Sequence, residues 1–135
     1  IGAGTVGIAA ARAIGRRGLR VHAIDRQEGP LTAMAPHVAA TLVGDANDRD
    51  LLTRAGIHES PSLLLTTNDD AMNIYLAVYC RRLNPGLRII SRVTHARNVE
   101  AIHRAGADFA LSYTTLGAEA IVSLLAGDLA VGQPL

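Results

Sequence analysis

Gly2-Ala3-Gly4-Thr5-Val6-Gly7 runs straight into Ile8-Ala9-Ala10-Ala11-Arg12-Ala13-Ile14, a G-x-G-x-x-G spacing that opens a helix-forming segment. In a turn of this kind, backbone N–H groups at the positive end of a helix cradle a pyrophosphate. Gly2 permits the tight turn, Gly4 lets phosphates approach because no Cβ intervenes, and Gly7 lets the helix pack closely on its strand. The spacing alone also occurs in glycine turns that merely pack. Its context adds weight: Val21-His22-Ala23-Ile24-Asp25 reads as a second strand ending in an acid, about 20 residues past the glycines, where a ribose hydroxyl is held. Asp25 repels a 2′-phosphate and so favours NAD or a plain adenosine nucleotide. Arg26, beside it, is suited to stacking on adenine or to tolerating the 2′-phosphate of NADP, and the acid carries the greater weight.

The rest of the chain repeats the alternation of strand and helix. Gly29 to Pro36 leaves room for only a short second helix, Ala39 to Val43 is a third strand, and Gly44-Asp45-Ala46-Asn47 turns into a helix from Asp48 to Ala55. Ser62 to Thr66 is a fourth strand, ending in Thr67-Asn68-Asp69-Asp70, which caps a long helix from Asp70 to Leu83. Leu87 to Val93 gives a fifth strand, His95 to Ala105 a further helix, Ala107 to Ser112 a sixth strand and Leu116 to Leu125 a last helix. This pattern predicts an α/β fold, a Rossmann-like doubly wound parallel sheet of strand order 3-2-1-4-5-6. Ligands in such sheets sit beyond the carboxyl ends of the strands where the order reverses, so the glycine turn and Thr66 to Asn68 are expected to face one another, with Thr67 or Asn68 as ligand contacts. Arg92, at the end of strand five, is a candidate phosphate contact. A phosphate turn should follow a complete buried strand, yet only Ile1 precedes Gly2, so the 135 residues read as one domain that begins within its first strand, part of a longer chain.

Composition narrows the function. Lysine is absent and all thirteen basic side chains are arginine, which excludes a P-loop lysine, a Schiff base and the Tyr-x-x-x-Lys pair of short-chain dehydrogenases. The net charge of +1, with scattered basic residues and four aromatic rings, argues against a nucleic-acid partner. The single cysteine, Cys80, leaves no disulfide framework and fits a reducing cytoplasm. The five histidines show no metal-ligand spacing, and Asp69-Asp70 is explained by the helix dipole. A nucleotide fold without catalytic groups suggests sensing rather than turnover. Two helices, the one after Asp70 and the last one, are apolar nearly all round, so each is expected to be covered on both faces, with a dimer seam as one way of covering them.

Ile1 to Gly7, Asp25, Gly44-Asp45-Ala46, Ala55-Gly56-Ile57, Thr67-x-x-Asp70-x-x-Asn73, Ile89 to Val93 and Ala105-Gly106-Ala107-Asp108 occur in the order seen in the regulator-of-potassium-conductance domains. Over essentially its whole length the chain resembles the amino-terminal lobe of that family, the TrkA-N type domain also found in Trk and Kef potassium transport systems. The resemblance implies a cytosolic, dimerising domain, or part of a larger gating ring, that binds NAD or NADH, or else ATP, ADP or AMP, and passes the binding energy to a fused or separate transmembrane potassium pore. By position it implies a phosphate turn at Gly2, Gly4, Thr5 and Val6, a ribose acid at Asp25, adenine neighbours at Gly44, Asp45 and Ala46, and crevice residues at Thr67, Asn68, Asn73 and Arg92. Some calcium-gated members carry acids just after strand five, where this chain has Ser91-Arg92-Val93-Thr94 and no acid. Leu111 to Ala118 is more similar to channel-fused members than to stand-alone subunits. The alternatives are the cofactor lobe of an NAD-dependent oxidoreductase and a purely structural assembly module with a vestigial crevice.

Overall fold

The computed structural model describes residues 1–112 together with Ile121 and Leu125. The glycine turn leads into α1 (Thr5–Arg16), whose buried positions Gly7 and Ala11 lie one turn apart on the face toward the sheet. β1 (His22–Asp25), α2 (Glu28–Met34) and a 3₁₀ turn at Ala35–His37 lead to β2 (Ala40–Val43). α3 (Arg49–Ala55) is capped by the Asp48 carboxylate, which accepts from the Asp50 N–H at 2.9 Å, and it ends at Gly56 with φ 92°. That left-handed stop needs glycine. β3 (Ser62–Leu65), α4 (Asp70–Leu83), β4 (Arg88–Arg92), α5 (Val99–Arg104) and β5 (Phe109–Leu111) complete the described elements.

All strand pairs are parallel: β1 with β2, β3 with β4, and β4 with β5. The start of the chain joins the two groups. The Ile1 nitrogen donates to the Leu64 carbonyl at 2.7 Å, the Thr66 N–H donates to the Ile1 carbonyl at 2.9 Å, and the Gly2 N–H donates to the Ile24 carbonyl at 2.9 Å. The segment expected as strand one thus lies between β1 and β3, the point of reversal where a crevice opens. Helices cover both sheet faces. Ala23 and Ile24 are adjacent in β1, so they point to opposite faces, and both are buried, the first with Leu31 and Met34 and the second with Leu51, Leu65, Leu76 and Ile89. The core is aliphatic, as the composition requires, and each buried Leu or Ile contributes about 1.5–3 kcal/mol relative to exposure.

Two expectations change. The segment from His95 to Ala105 is not one helix but a 3₁₀ turn at Ala96–Asn98 followed by the six-residue α5. The cause is the Asp70 carboxylate, which binds the Thr94 and His95 N–H groups and the Asn98 side chain, holding these residues in a loop. α4 is not buried all round. Asn73, Leu76, Ala77 and Cys80 face the interior, while Tyr75 is 50% and Val78 38% exposed on the outer side. Of the helix expected from Leu116 to Leu125, Ile121 and Leu125 are helical and exposed, and the rest lies outside the described residues, as does most of the Leu111 to Ala118 stretch.

Candidate functional site

At the carboxyl ends of β1, β2 and β3 a crevice of about 280 Å³ opens, lined by Ile1, Gly2, Ile24, Asp25, Arg26, Gln27, Gly44, Asp45, Ala46, Thr67, Asn68, Asp69, Met72 and Leu76. The glycine turn and the Thr67–Asn68 segment therefore share one cavity. Of the residues singled out in the sequence, Gly2, Asp25, Arg26, Gly44, Asp45, Ala46, Thr67 and Asn68 line it. Gly4, Thr5, Val6, Asn73 and Arg92 do not.

Gly2 has φ +103°, and a Cβ there would stand 2.9 Å from Thr66 Oγ1 and 3.0 Å from the Thr67 nitrogen. Thr66, expected from the sequence to face the glycine turn, accounts for this tight approach: its hydroxyl donates toward the Ile1 and Gly2 carbonyls at 3.0 and 2.9 Å, tying β3 to the turn. At Gly7 a Cβ would run into the Gly2 carbonyl oxygen. Gly4 is the opposite case, for a Cβ there meets nothing within 4 Å. It is the N-cap of α1 with no side chain capping the helix, so the first-turn N–H groups at exposed Thr5 and half-buried Val6 have no side-chain acceptor. An open cradle over uncapped helix N–H groups fits a pyrophosphate.

The Asp25 carboxylate joins the turn to the strand end. One oxygen accepts from the Ala3 N–H and the other from the Gln27 N–H, each at 2.8 Å. A carboxylate has about four acceptor positions, so two remain for a ribose diol. Arg26 reaches across to Asp45, with Nη2 3.1 Å from Oδ2. Both side chains are about half exposed or more, so solvent screens the pair and it is weak. The Asp45 carboxyl is held below the ordinary carboxylate range, first by the Asn47 N–H and further by Arg26. Gly44 approaches Leu51 so closely that a Cβ would meet a Leu51 methyl at 2.8 Å, while Met72 and Leu76, one turn apart on α4, give the cavity an apolar wall.

Asn73 is fully buried behind the crevice. Its amide donates to the carbonyls of Thr67 at 3.0 Å and Arg92 at 3.1 Å, and its oxygen accepts from the Thr67 hydroxyl at 2.6 Å. It braces the ends of β3 and β4 and orients Thr67. Arg92 is half-buried at the end of β4, its carbonyl held by that brace. Asp69 caps α4 by accepting from the Met72 N–H at 3.1 Å. For Asp70, burial alone would raise the carboxyl pKa, but hydrogen bonds from Asn98, Thr94 and His95 outweigh it and leave the group lowered. Cys80 is buried in the core, and that burial pushes its thiol up to about 11, an unreactive state. His22, His58 and His103 each bond a backbone carbonyl through Nδ1. Among the described residues no group of three His, Cys, Asp or Glu is placed to hold a metal ion, and no helix is long and apolar enough to cross a membrane.

Comparison with known proteins adds to this geometry. The chain is 38% identical to the GsuK channel bound to NAD, with a TM-score of 0.81 over 94% of this chain and 22% of that one. It is equally similar to GsuK bound to ADP, 38% identical with a TM-score of 0.80 over 95% of this chain and 33% of that one. It is 30% identical over 70 residues to Potassium channel protein 1 of Methanocaldococcus jannaschii, covering 52% of this chain. The chain spans about a fifth of that relative's length, 21%. The TrkA-N domain family matches residues 1–113, and the chain belongs to that family.

Proposed function

We propose that this chain is a regulatory, nucleotide-binding domain of a potassium channel or potassium transport system, working at the cytoplasmic face of the membrane, and that NAD or NADH, with ADP, ATP and AMP as further candidates, binds in its crevice. The observation that carries the proposal is the conjunction at one strand-order reversal of an open Gly4 cradle, an Asp25 carboxylate with free acceptor capacity and the Gly44–Ala46 wall. The likeness to GsuK, solved with NAD and with ADP, supports it. The N–H groups at Thr5 and Val6 would hold the phosphates, Asp25 the ribose hydroxyls, and Gly44, Asp45 and Ala46 would flank the base. In this reading the domain senses its ligand without consuming it, which the likeness to potassium channel proteins supports.

α4 offers the route outward. Its inner side supplies Met72 and Leu76 to the crevice, and its outer side presents Tyr75, stacked on Tyr79 at 6.0 Å between ring centroids, and Val78. A dimer seated on that outer side would carry a shift of α4 to the neighbouring subunit and so to a pore. Moving a gate from mostly shut to mostly open needs about 5.5 kcal/mol of differential binding, summed over the sites of the assembly. The test is a calorimetric titration with NAD, NADH, ATP, ADP and AMP. At least one nucleotide is expected to bind in the micromolar range, with loss of affinity in Asp25→Ala and a smaller loss in Asp25→Asn, which keeps an acceptor for the Ala3 N–H. Binding by none of the five overturns the sensor reading in favour of a structural module, and turnover of the nicotinamide in favour of an oxidoreductase lobe.

A further inference from the structure

A second cavity of about 280 Å³ lies between α1 and the 3₁₀ turn, lined by Arg12, Gly15, Arg16, Pro36 and His37. It sits at the other end of the sheet from the crevice. α1 ends at Arg16 just before β1 begins, and His37 just precedes β2, whose approach is fixed by the Ala39 N–H donating to the Val21 carbonyl at 2.8 Å. The two places thus lie at opposite ends of β1, which spans roughly 10 Å at 3.3 Å per residue.

The chemistry of this cleft is one-sided. Arg12 and Arg16 are four residues apart on α1 and so project from the same helix face. Among the described residues neither has a carboxylate partner, in contrast to Arg26, Arg81 and Arg104, which pair with Asp45, Asp108 and Glu100. Arg16 in the last turn complements the helix dipole. Arg12 lies mid-helix and is not accounted for in that way. Gly15 brings the walls together: a Cβ there would stand 3.0 Å from the His37 carbonyl, so the cleft is as narrow as it is because residue 15 has no side chain. Two guanidinium forks and an imidazole on one concave surface, with no acid among the lining residues, suit a multiply charged oxyanion, which the forks can grip through paired N–H···O bonds.

We propose that the α1–Pro36 cleft is a second ligand site, specific for a phosphoryl group and independent of the crevice nucleotide. The phosphoryl group comes either from a free phosphorylated solute or from an anionic lipid headgroup, and the experiment separates the two. Inorganic pyrophosphate is titrated into the ¹⁵N-labelled protein, and vesicles of phosphatidic acid with phosphatidylcholine are sedimented with it. Two double variants are compared, Arg12→Gln/Arg16→Gln inside the cleft and Arg17→Gln/Arg20→Gln just outside it; each removes the same two charges. With pyrophosphate, the Gly15 and His37 amide resonances are expected to shift, with affinity at least about tenfold weaker in the first variant and near wild type in the second. Pelleting with phosphatidic acid that is lost only in the first variant identifies a lipid source. Pyrophosphate binding without pelleting identifies a free solute. Equal losses in both variants reduce the effect to a diffuse field and overturn the site. Shifts confined to residues 4–6, or no binding of either probe, also overturn it. Because the readout is at Gly15 and His37, these outcomes are independent of whether a nucleotide binds the crevice.

Discussion

The glycines at positions 4 and 7 are identical in composition and opposite in their tolerance. A methyl group at residue 7 would run into the Gly2 carbonyl, whereas one at residue 4 meets no protein atom within 4 Å. Gly7→Ala should therefore lower the melting temperature and abolish nucleotide binding together. Gly4→Ala should leave stability within about 1 kcal/mol of wild type while weakening the nucleotide, if the phosphates rest on the turn as proposed and the methyl fills their space. A Gly4→Ala variant with full affinity would mean that the phosphates lie elsewhere. The close packing at Gly7 was readable from the spacing because its nearest obstacle, the Gly2 carbonyl, is only five residues away. Asn73 could be read only as a residue near the crevice. Its partners, the carbonyls of Thr67 and Arg92, lie 6 and 19 residues away, and no local pattern reports them. Asn73→Ala removes the partner of the Thr67 carbonyl, a partner of the Thr67 hydroxyl and one of the donors to the Arg92 carbonyl, and should cost about 1–3 kcal/mol in urea denaturation. Thr66 was placed opposite the glycine turn by the fold pattern, but its hydrogen bonds to residues 64 and 65 positions earlier have no local signature.

Among the elements, α4 was located to the residue by its capping acids and by the Asn84-Pro85-Gly86 stop, whereas the helix after β4 was overdrawn. Propensity favoured a helix from His95, but the Asp70 carboxylate claims the first N–H groups of that stretch, and this contact between segments about 25 residues apart overrides the local preference. The contact has a pH signature. A carboxyl whose folded pKa is lowered adds stability that is present above its unfolded value and lost as pH falls toward the folded value. Urea denaturation should accordingly show stability that is steady near neutrality and declines below about pH 4. Asp70→Asn should be less stable at pH 7 and show a shallower acid decline. An unchanged acid slope in that variant would assign the decline to other carboxylates, such as Asp45 and Asp108, whose pKa values are also lowered. The exposure of Tyr75 and Val78 was not legible: an apolar circumference led to an expectation of cover on both sides of α4, whereas the chain's own sheet covers only one.

For the molecule as a whole, alternation and the strand-ending acid at Asp25 were enough to place the crevice, because a parallel sheet puts every such loop at one end. The basic cleft at the opposite end was not legible, since Arg12, Arg16 and His37 come together only when the 3₁₀ turn folds back on α1 at Gly15. A nucleotide that binds only the folded chain should stabilise it by about 2.7 kcal/mol at a hundred times its Kd, a Tm rise on the order of 10 °C in a thermal scan. The two-sided character of α4 carries this further. One rigid helix walls the crevice with Met72 and Leu76 and offers Tyr75 and Val78 outward, so if a second copy of the chain seats there, its docking and the nucleotide's are thermodynamically reciprocal. Dilution then becomes a regulator in its own right: a sample thin enough to separate the subunits holds its nucleotide less tightly, or more tightly, by the same factor with which the nucleotide draws the subunits together or drives them apart.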